Sequence, residues 1–414
     1  MPKNKKQEFS EPNVLINTLI KAGAFDRKSS STDDILTDAL RSVRNLLGMQ
    51  VAFLSEFRRD RRVFAYVDSD EDFSPINIGE SDPLDESYCQ RVVDGRLPEL
   101  IRDARKIPEA LAIKATADLP IGAHLSIPVR FSNGQVFGTF CCFSTKPDET
   151  LNQRDMATMR LFADFSGRLL EREVIAQHSG DITKRRIQKL IKSKEFSIVY
   201  QPIFLLDGKR VVGYEALCRF PGKQASPPEN VFREAQEVGL LIELELATVE
   251  CALNSLDSIP NDFRISVNVS PQTLLSGKIG AVINKFDASR IVFELTEHCS
   301  VEDYAAISRE LAPLRNKGIA LAIDDIGAGY SSFRHVLELK PELIKFDRSL
   351  IHNIHMETGN RALAAALVRF SEEMGIEVIA EGVETEGELN VLQRLGVTKI
   401  QGYIWGRPAP LPVL

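Results

Sequence analysis

The first half of the chain mixes one amphipathic helical pattern with short β-rich segments. Apolar residues recur at helical spacing from Ile35 to Leu47, after the acidic turn that begins at Thr32 and before Gly48, which predicts a helix. Strands are predicted at 51–57, 62–67, 124–131 and 136–143. Asn133 and Gly134 form the best hairpin signal of the chain. This pattern predicts an α+β domain with an antiparallel sheet at 31–175, after a polar leader at 1–30.

The second half of the chain has a different pattern, in which short apolar segments alternate with segments of helical periodicity. A charged helical linker is predicted at 176–194. The apolar segments lie at 198–203, 213–217, 263–269, 290–295, 319–323, 343–346, 378–380 and 399–403. Helices are predicted between them at 228–238, 243–256, 301–315 and 360–374. Eight strands alternating with helices indicate an α/β fold, a (β/α)₈ TIM-like barrel over 195–414.

Composition and charge limit the classes of function to which the protein could belong. The 414 residues carry a net charge of -7, which argues against a partner that is a nucleic acid polymer. The six cysteines show no CxxC spacing, which is typical of a reduced, cytoplasmic protein. The basic N-terminus lacks the apolar segment of a signal peptide, and the apolar run at 362–368 is too short to span a membrane.

Polar side chains lie at the ends of the predicted barrel strands. They are Glu215, Asn268, Glu294, Glu297, Asp324, Asp325, Lys345, Glu381 and Gln401. Because a barrel gathers the C-terminal ends of its strands on one face, we expect these side chains to converge. A single acid at a strand end is more often a helix cap or an ion-pair partner, but the recurrence of acids on successive strands favours a shared site.

So many carboxylates in one cleft need cations to compensate their charge. Oxygen ligands without histidine or cysteine suit Mg²⁺ or Mn²⁺, and two such ions could activate water for attack on a phosphodiester. The residues alone leave a second chemistry open. Acids beside one lysine could also abstract a proton next to a metal-bound carboxylate, as enolase-type enzymes do.

Eight ordered motifs resemble the EAL family of cyclic di-GMP (c-di-GMP) phosphodiesterases. They are YQPI (200–203), GYEALCR (213–219), NVS (268–270), ELTE (294–297), DDIGAGYSS (324–332), IKFD (344–347), EGVET (381–385) and QGYIWGRP (401–408). The resemblance covers about 195–414. It implies hydrolysis of c-di-GMP to linear pGpG by a cytoplasmic homodimer that uses two Mg²⁺ or Mn²⁺ ions.

The same resemblance assigns roles to single residues. The implied metal ligands are Glu215, Asn268, Glu294, Asp324, Asp325 and Glu381, and the implied catalytic residues are Lys345, Glu381, Glu215 and Gln401. Lys345 would hold or deprotonate the attacking water, and Gln401 would orient it. Implied ligand contacts are Gln201, Arg219, Asp347 and Glu384, while Glu297 would anchor the loop after Asp325. In that loop DDIGAG replaces the usual DDFGTG, so Ile326 stands where the family has phenylalanine.

The first domain resembles GAF sensor domains through its order of elements and through the segments at 87–101 and 124–144. Nothing in it names a ligand. Cys89 is the candidate thiol for a chromophore, whereas Cys141, Cys142 and Cys218 are predicted to be small buried apolar residues. The alternative function is a c-di-GMP receptor without turnover that signals through the linker.

Overall fold

The computed structural model describes residues 31–221, 227–295, 303–327 and 332–411, and the chain divides into two units, Met1–His178 and Ser179–Leu414. Each unit has its own hydrophobic clusters. Within the described residues, no helix has the length and apolar character that crossing a membrane requires.

The N-terminal unit is built on one six-stranded antiparallel sheet with the strand order β3-β2-β1-β6-β5-β4. The strands are β1 (Val51–Arg58), β2 (Arg61–Ser69), β3 (Ser81–Pro83), β4 (Leu100–Ile101), β5 (Ala123–Arg130) and β6 (Val136–Ser144). Strands β5 and β6 pair on either side of Asn133-Gly134, which confirms the predicted hairpin. Because successive residues of a strand face opposite ways, Ala52 and Leu54 join one apolar cluster while Val51 and Phe53 join another.

Helices cover both faces of this sheet. They are α1 (Thr32–Leu47), α2 (Tyr88–Val93), α3 (Pro108–Leu111), α4 (Lys114–Asp118) and the long α5 (Gln153–Ser193). Helix α1 begins at Thr32, where the acidic turn was predicted, and its N-cap is Ser31, which forms a reciprocal capping box with Asp34. It ends at Gly48, whose φ of 67° is left-handed. The predicted linker at 176–194 is the C-terminal part of the single helix α5.

The C-terminal unit is a closed eight-stranded barrel in the order β10-β11-β12-β13-β14-β7-β8-β9. Its strands are β7 (Ser197–Leu205), β8 (Arg210–Arg219), β9 (Arg264–Asn268), β10 (Ile291–Leu295), β11 (Ala320–Ile326), β12 (Leu343–Phe346), β13 (Glu377–Ala380) and β14 (Lys399–Ile400). Strand β7 runs antiparallel to both of its neighbours, and the other pairs are parallel. The barrel confirms the predicted fold, and the reversal of β7 is its departure from an all-parallel (β/α)₈ fold.

The remaining helices connect the barrel strands. They are α6 (Pro228–Glu237), α7 (Leu241–Leu253), α8 (Pro271–Leu275), α9 (Ile279–Ile283), α10 (Tyr304–Arg315), α11 (Ser332–Leu339), α12 (Arg348–Ile351), α13 (Thr358–Met374) and α14 (Glu386–Arg394). The largest apolar cluster combines barrel residues such as Ile265 and Phe293 with helix residues such as Leu253 and Leu367. This packing holds the strand ends that carry the polar side chains.

Candidate metal centre

The barrel interior changes from apolar to ionisable along its strands. The apolar layer includes Val292, Ala322, Leu343 and Ile379. Two positions further along the chain stand Glu294, Asp324, Lys345 and Glu381. Since the side chains of a strand alternate between its faces, the second set lies above the first on the inside of the barrel. The predicted convergence of strand-end acids therefore occurs.

Lys345 lies at the centre of the ionisable layer and is completely buried. Its Nζ is 3.0 Å from Oε2 of Glu294, 3.3 Å from Oε2 of Glu215 and 3.4 Å from Oδ1 of Asp324. It lies 2.5 Å from Oε1 of Glu381. One ammonium group thus faces four carboxylates. The excess of negative charge could be compensated by further cations.

The pKa values reflect this imbalance. Burial raises the pKa of the Glu294 carboxyl, and Lys345 offsets only part of the rise. Burial likewise raises the pKa values of Asp324 and Glu381. Glu215 is the exception, because attraction to Lys345 and hydrogen bonds outweigh burial and lower its pKa. Burial lowers the pKa of Lys345 itself, but the carboxylates raise it well above its ordinary value.

A backbone irregularity brings two consecutive aspartates into the site. Neighbouring residues in a regular strand face opposite sides, so Asp324 and Asp325 should diverge. The pairing of β11 with β12 shifts register between Ile323 and Ile326, and Asp325 has a left-handed φ of 58°. Carboxylate oxygens of both aspartates and of Glu381 lie within 4.8 Å of one another. The bulge at Asp325 therefore doubles the acids that one strand supplies.

The donor set fits divalent cations. Glu215, Glu294 and Asp324 form one group of oxygens within 4.8 Å, and Asp324 is shared with the second group, which contains Asp325 and Glu381. Oε1 of Glu294 is buried without a hydrogen-bond partner among the described residues. Such an acceptor is costly unless a cation or a donor approaches it. The cluster could therefore hold a metal ion, as the oxygen-only donor set predicts.

Amide side chains extend the cluster toward β7. Nε2 of Gln401 donates to Oε2 of Glu215 and, at 3.2 Å, to Oε1 of Gln201. Nε2 of Gln201 donates in turn to the carbonyl of Gly406 at 3.3 Å. Asn268 lies at the end of β9, and its side chain contributes to the lowered pKa of Glu215. These contacts orient the Glu215 carboxylate and leave Oε1 of Gln401 buried without a partner in the described part of the chain.

Other predicted site residues stand apart from the cluster. The guanidinium of Arg219 is exposed and donates to the carbonyl of Cys218. Asp347 caps α12, and Glu384 forms an ion pair with Arg348 at 3.0 Å. The prediction for Glu297 lies outside the described residues. Ile326 is buried and pairs with Phe346 of β12, so the departure in the loop motif is accommodated in the apolar packing.

Two buried glutamates that sequence reasoning missed hold the loops of the site. Glu245 in α7 accepts from the backbone N–H and the hydroxyl of Ser270, just after Asn268. Glu388 forms a capping box with Thr385 and also accepts from the N–H of Glu384. The signal for Glu245 is an acid on the inward side of the apolar helix LIELELATVECAL.

Family comparisons agree with this geometry. The model of the EAL domain matches residues 184–408, more than half of the chain. The model of the GAF domain matches residues 29–171. The two matches fall on the barrel and on the antiparallel sheet, respectively.

Individual proteins are also similar to this chain. An uncharacterized signaling protein of Caulobacter vibrioides is 30% identical over 310 residues, which are 70% of this chain and 38% of that protein. Cyclic di-GMP phosphodiesterase RocR of Pseudomonas aeruginosa is 30% identical over 227 residues, 52% of this chain and 58% of RocR. The solved c-di-GMP complex of PaMucR phosphodiesterase matches with a TM-score of 0.50 and 27% identity, covering 55% of this chain and 97% of that one. The chain thus spans less than two thirds of these two full-length relatives.

Proposed function

This chain belongs to the EAL domain family, and we propose that its barrel hydrolyses c-di-GMP to the linear dinucleotide pGpG. The observation that carries the proposal is the buried ring of carboxylates around Lys345. RocR is a cyclic di-GMP phosphodiesterase by its name, and PaMucR was solved with c-di-GMP. Both relatives favour this substrate over the enolase-type chemistry that the residues alone leave open.

We infer that the cofactors are two divalent cations, Mg²⁺ or Mn²⁺. Glu215, Glu294 and Asp324 would hold one, with Asn268 beside them, and Asp324, Asp325 and Glu381 would hold the other. When bound, the cations would neutralise the phosphodiester and ease the ionisation of water. The oxygen-only donors and the unpartnered Oε1 of Glu294 support this assignment.

Lys345 would orient the attacking water as a proton donor. Its Nζ lies at the centre of the carboxylate cluster, within 3.4 Å of Glu294, Glu215 and Asp324, so between the two roles implied by the resemblance we assign it the holding one. Glu381, in contact with Lys345, would accept a hydrogen bond from the same water. Oε1 of Gln401 is a buried acceptor without a partner among the described residues, on the same amide that contacts Glu215, which suits it to accept a hydrogen bond from the water.

The nucleotide would be held by groups at the rim of the cluster. Gln201, next to Gln401, offers an amide to a guanine edge or a phosphate. The exposed guanidinium of Arg219 suits bidentate contact with a phosphate. Asp347 and Glu384 would contact guanine, and the ion pair with Arg348 would keep Glu384 in place.

The test is hydrolysis of c-di-GMP by the full chain with Mg²⁺ or Mn²⁺, with pGpG followed by chromatography. Glu381→Gln should lower turnover by about a hundredfold or more, because a metal and water ligand is lost. Glu377→Gln is the matched control on the same strand. Glu377 opens β13, is exposed and pairs with Lys399, so that variant should keep its activity.

Failure would take one of two forms. Absence of pGpG with either metal, together with tight binding of c-di-GMP, would favour the receptor without turnover. Absence of both binding and turnover would reject the substrate. Glu215→Ala is informative here, because it should abolish hydrolysis and also weaken binding if the metals hold the phosphates.

We further propose that the GAF domain, whose ligand is unknown, regulates the barrel within a homodimer. Exposed apolar residues of helix α5 support the proposal of a dimer. Leu161 and Ile175 are exposed by 42% and 61%, and their separation is a multiple of seven residues. Apolar residues at this spacing form the seam of a coiled coil. A second copy of the same helix would bury them.

A further inference from the structure

The N-terminal unit contains a buried cluster of two thiols, an arginine and several hydroxyl groups that the proposed reaction does not use. Cys89 stands in α2 and Cys141 in β6, and both are completely buried. Their Sγ atoms are 3.8 Å apart. Cys141 was predicted to be a small buried apolar residue, and its burial within an apolar cluster is confirmed, but a thiol and two hydroxyl groups lie beside its sulfur.

A fixed positive charge lies beside one of the two sulfur atoms. Nη1 of Arg62 is 3.3 Å from Sγ of Cys89. The guanidinium also donates to Asp82 through Nε, at 2.9 Å, and through Nη2, and it lies over the ring of Phe64. Arginine does not lose its proton in proteins, so this charge is permanent and its position is held from three sides.

Hydroxyl groups surround the second sulfur atom. Sγ of Cys141 lies 3.1 Å from Oγ of Ser126 and donates to Oγ1 of Thr139 at 3.1 Å. The electrostatics of the pair are unequal. Burial opposes ionisation of Cys89, but the contacts with Cys141 and Arg62 lower the pKa of its thiol. Burial and the neighbouring Cys89 raise the pKa of the Cys141 thiol. One thiol is disposed to ionise while the other keeps its proton.

The next residue provides a natural comparison. Cys142 is as buried as Cys141, but it faces the opposite side of the sheet and packs against Met159 in an apolar cluster. Burial raises the pKa of its thiol. Adjacent cysteines thus differ in surroundings and not in exposure.

We propose that Cys89 and Cys141 form a modification site, in which oxidation by a small hydroperoxide joins them in a reversible disulfide. The Cys89 thiolate attacks the peroxide, the O–O bond breaks, and sulfur gains oxygen as a sulfenic acid while an alcohol or water leaves. Cys141 then attacks that sulfur and gives its thiol proton to the departing oxygen, so the S–S bond forms and the S–O bond breaks with loss of water. The balance is two thiols and one hydroperoxide to one disulfide, one alcohol or water, and one water.

The contacts favour ionisation of Cys89 and closure of the two sulfur atoms. The Arg62 guanidinium stabilises the attacking thiolate. The two Sγ atoms must close from 3.8 Å to about 2.05 Å, a small displacement for the side chains of a short helix and an adjacent strand. Two thiols in such contact favour a disulfide over further oxidation of Cys89.

The test is peptide mapping of the folded full chain by mass spectrometry after treatment with hydrogen peroxide. Met356, which is 72% exposed, reports the peroxide dose through its own oxidation. We expect a linked Cys89–Cys141 peptide that a dithiol removes, with the same yield in Cys142→Ser. In Cys141→Ser, Cys89 should stop at the sulfenic acid and be trapped by a dione reagent.

Variants of Arg62 test whether its charge promotes the oxidation of Cys89. Arg62→Gln should slow formation of the link by about tenfold, and Arg62→Lys should restore most of the rate, provided circular dichroism shows folded protein. Absence of the linked peptide from folded wild-type protein, at a dose that oxidises Met356, would overturn the proposal. So would a link that forms only in denaturant, or oxidation of Cys142 ahead of Cys89. If the variants do not fold, the peptide map of the oxidised wild-type protein tests the proposal by itself.

Discussion

At the scale of single residues, Lys345 holds like charges together. Its ammonium contacts Glu215, Glu294, Asp324 and Glu381 in a completely buried position. Buried charges are tolerated when they are paired, and removing one partner leaves the others uncompensated. Among the described residues, Lys345 is the cation in contact with these carboxylates, so it stabilises the barrel in the absence of divalent cations.

The first residue-scale prediction concerns stability. Lys345→Met should lower the free energy of unfolding by about 3–5 kcal/mol in the presence of a chelator, and added Mg²⁺ or Mn²⁺ should recover part of the loss. Urea unfolding with and without metal measures both effects. Lys285→Met is the control, because Lys285 is exposed and its ion pair with Glu250 lies at the surface. An equal loss in both variants would contradict the interpretation.

The second residue-scale prediction concerns pH. His124 is buried against the ring of Tyr88, and burial lowers its pKa to about 3. Below pH 6.5, His124 therefore binds a proton in the unfolded chain, whereas in the folded unit it binds one only near pH 3. The stability that neutral His124 contributes is complete above pH 6.5 and is lost as the pH falls.

The size of this effect is about 1.4 kcal/mol per pH unit within that window. We expect the free energy of unfolding to decrease between pH 7.5 and 5.5 by about 1 kcal/mol more in the wild type than in His124→Gln. Urea unfolding of both proteins at the two pH values measures the difference. Identical pH dependence of the two proteins would show that His124 ionises freely in the folded state.

At the scale of elements, the bulge in β11 is the feature that shapes the site. The bulge brings the carboxylate of Asp325 into the same group of oxygens as that of Asp324. The backbone of Asp325 is left-handed there, a conformation that strains a residue with a Cβ. Gly402 plays a comparable part after β14, since a Cβ there would come within 2.1 Å of the carbonyl oxygen of Val383. Close approach of these loops requires a residue without a side chain.

The prediction at this scale separates the backbone of Asp325 from its carboxylate. Asp325→Ala and Asp325→Gly remove the same ligand, so both should lose most turnover of c-di-GMP. Only glycine adopts a φ of 58° without strain, so the glycine variant should be about 1 kcal/mol more stable than the alanine variant. Thermal or urea unfolding gives the comparison. Equal stabilities would mean that the bulge relaxes when the carboxylate is absent.

At the scale of the whole molecule, the exposed apolar side chains of α5 are the basis for the proposed dimer. Ile175 and Ile182 are seven residues apart and are exposed by 61% and 53%. Ile175→Glu combined with Ile182→Glu should convert the dimer to a monomer and lower turnover, because like charges would face each other across the seam. Light scattering and the hydrolysis assay measure both effects.

The matched control for the dimer is Ile78→Glu. Ile78 is similarly exposed, at 66%, and lies in the loop before β3. This variant should leave the molecular mass and the turnover unchanged. A monomeric wild-type protein with full activity would contradict the proposed role of dimerisation.

The sequence by itself determined the two fold classes and the convergence of acids. All eight barrel strands were predicted near their observed positions, because buried parallel strands read as short apolar runs between helices. Alternation within each strand then places Glu294, Asp324 and Lys345 above the apolar layer. The motifs also identified the EAL family, whose model matches the barrel. These properties depend on local spacing, which a sequence displays directly.

Only the tertiary structure decided the antiparallel direction of β7, the bulge at Asp325 and the contact of Arg62 with Cys89. Each depends on contacts between residues that are distant in the chain or on a single backbone dihedral angle, and neither has a periodic signature. Cys141 and Cys142 illustrate the point. The two residues are identical and adjacent in the sequence, but opposite faces of a sheet give one a thiol and hydroxyls as neighbours and the other a methionine.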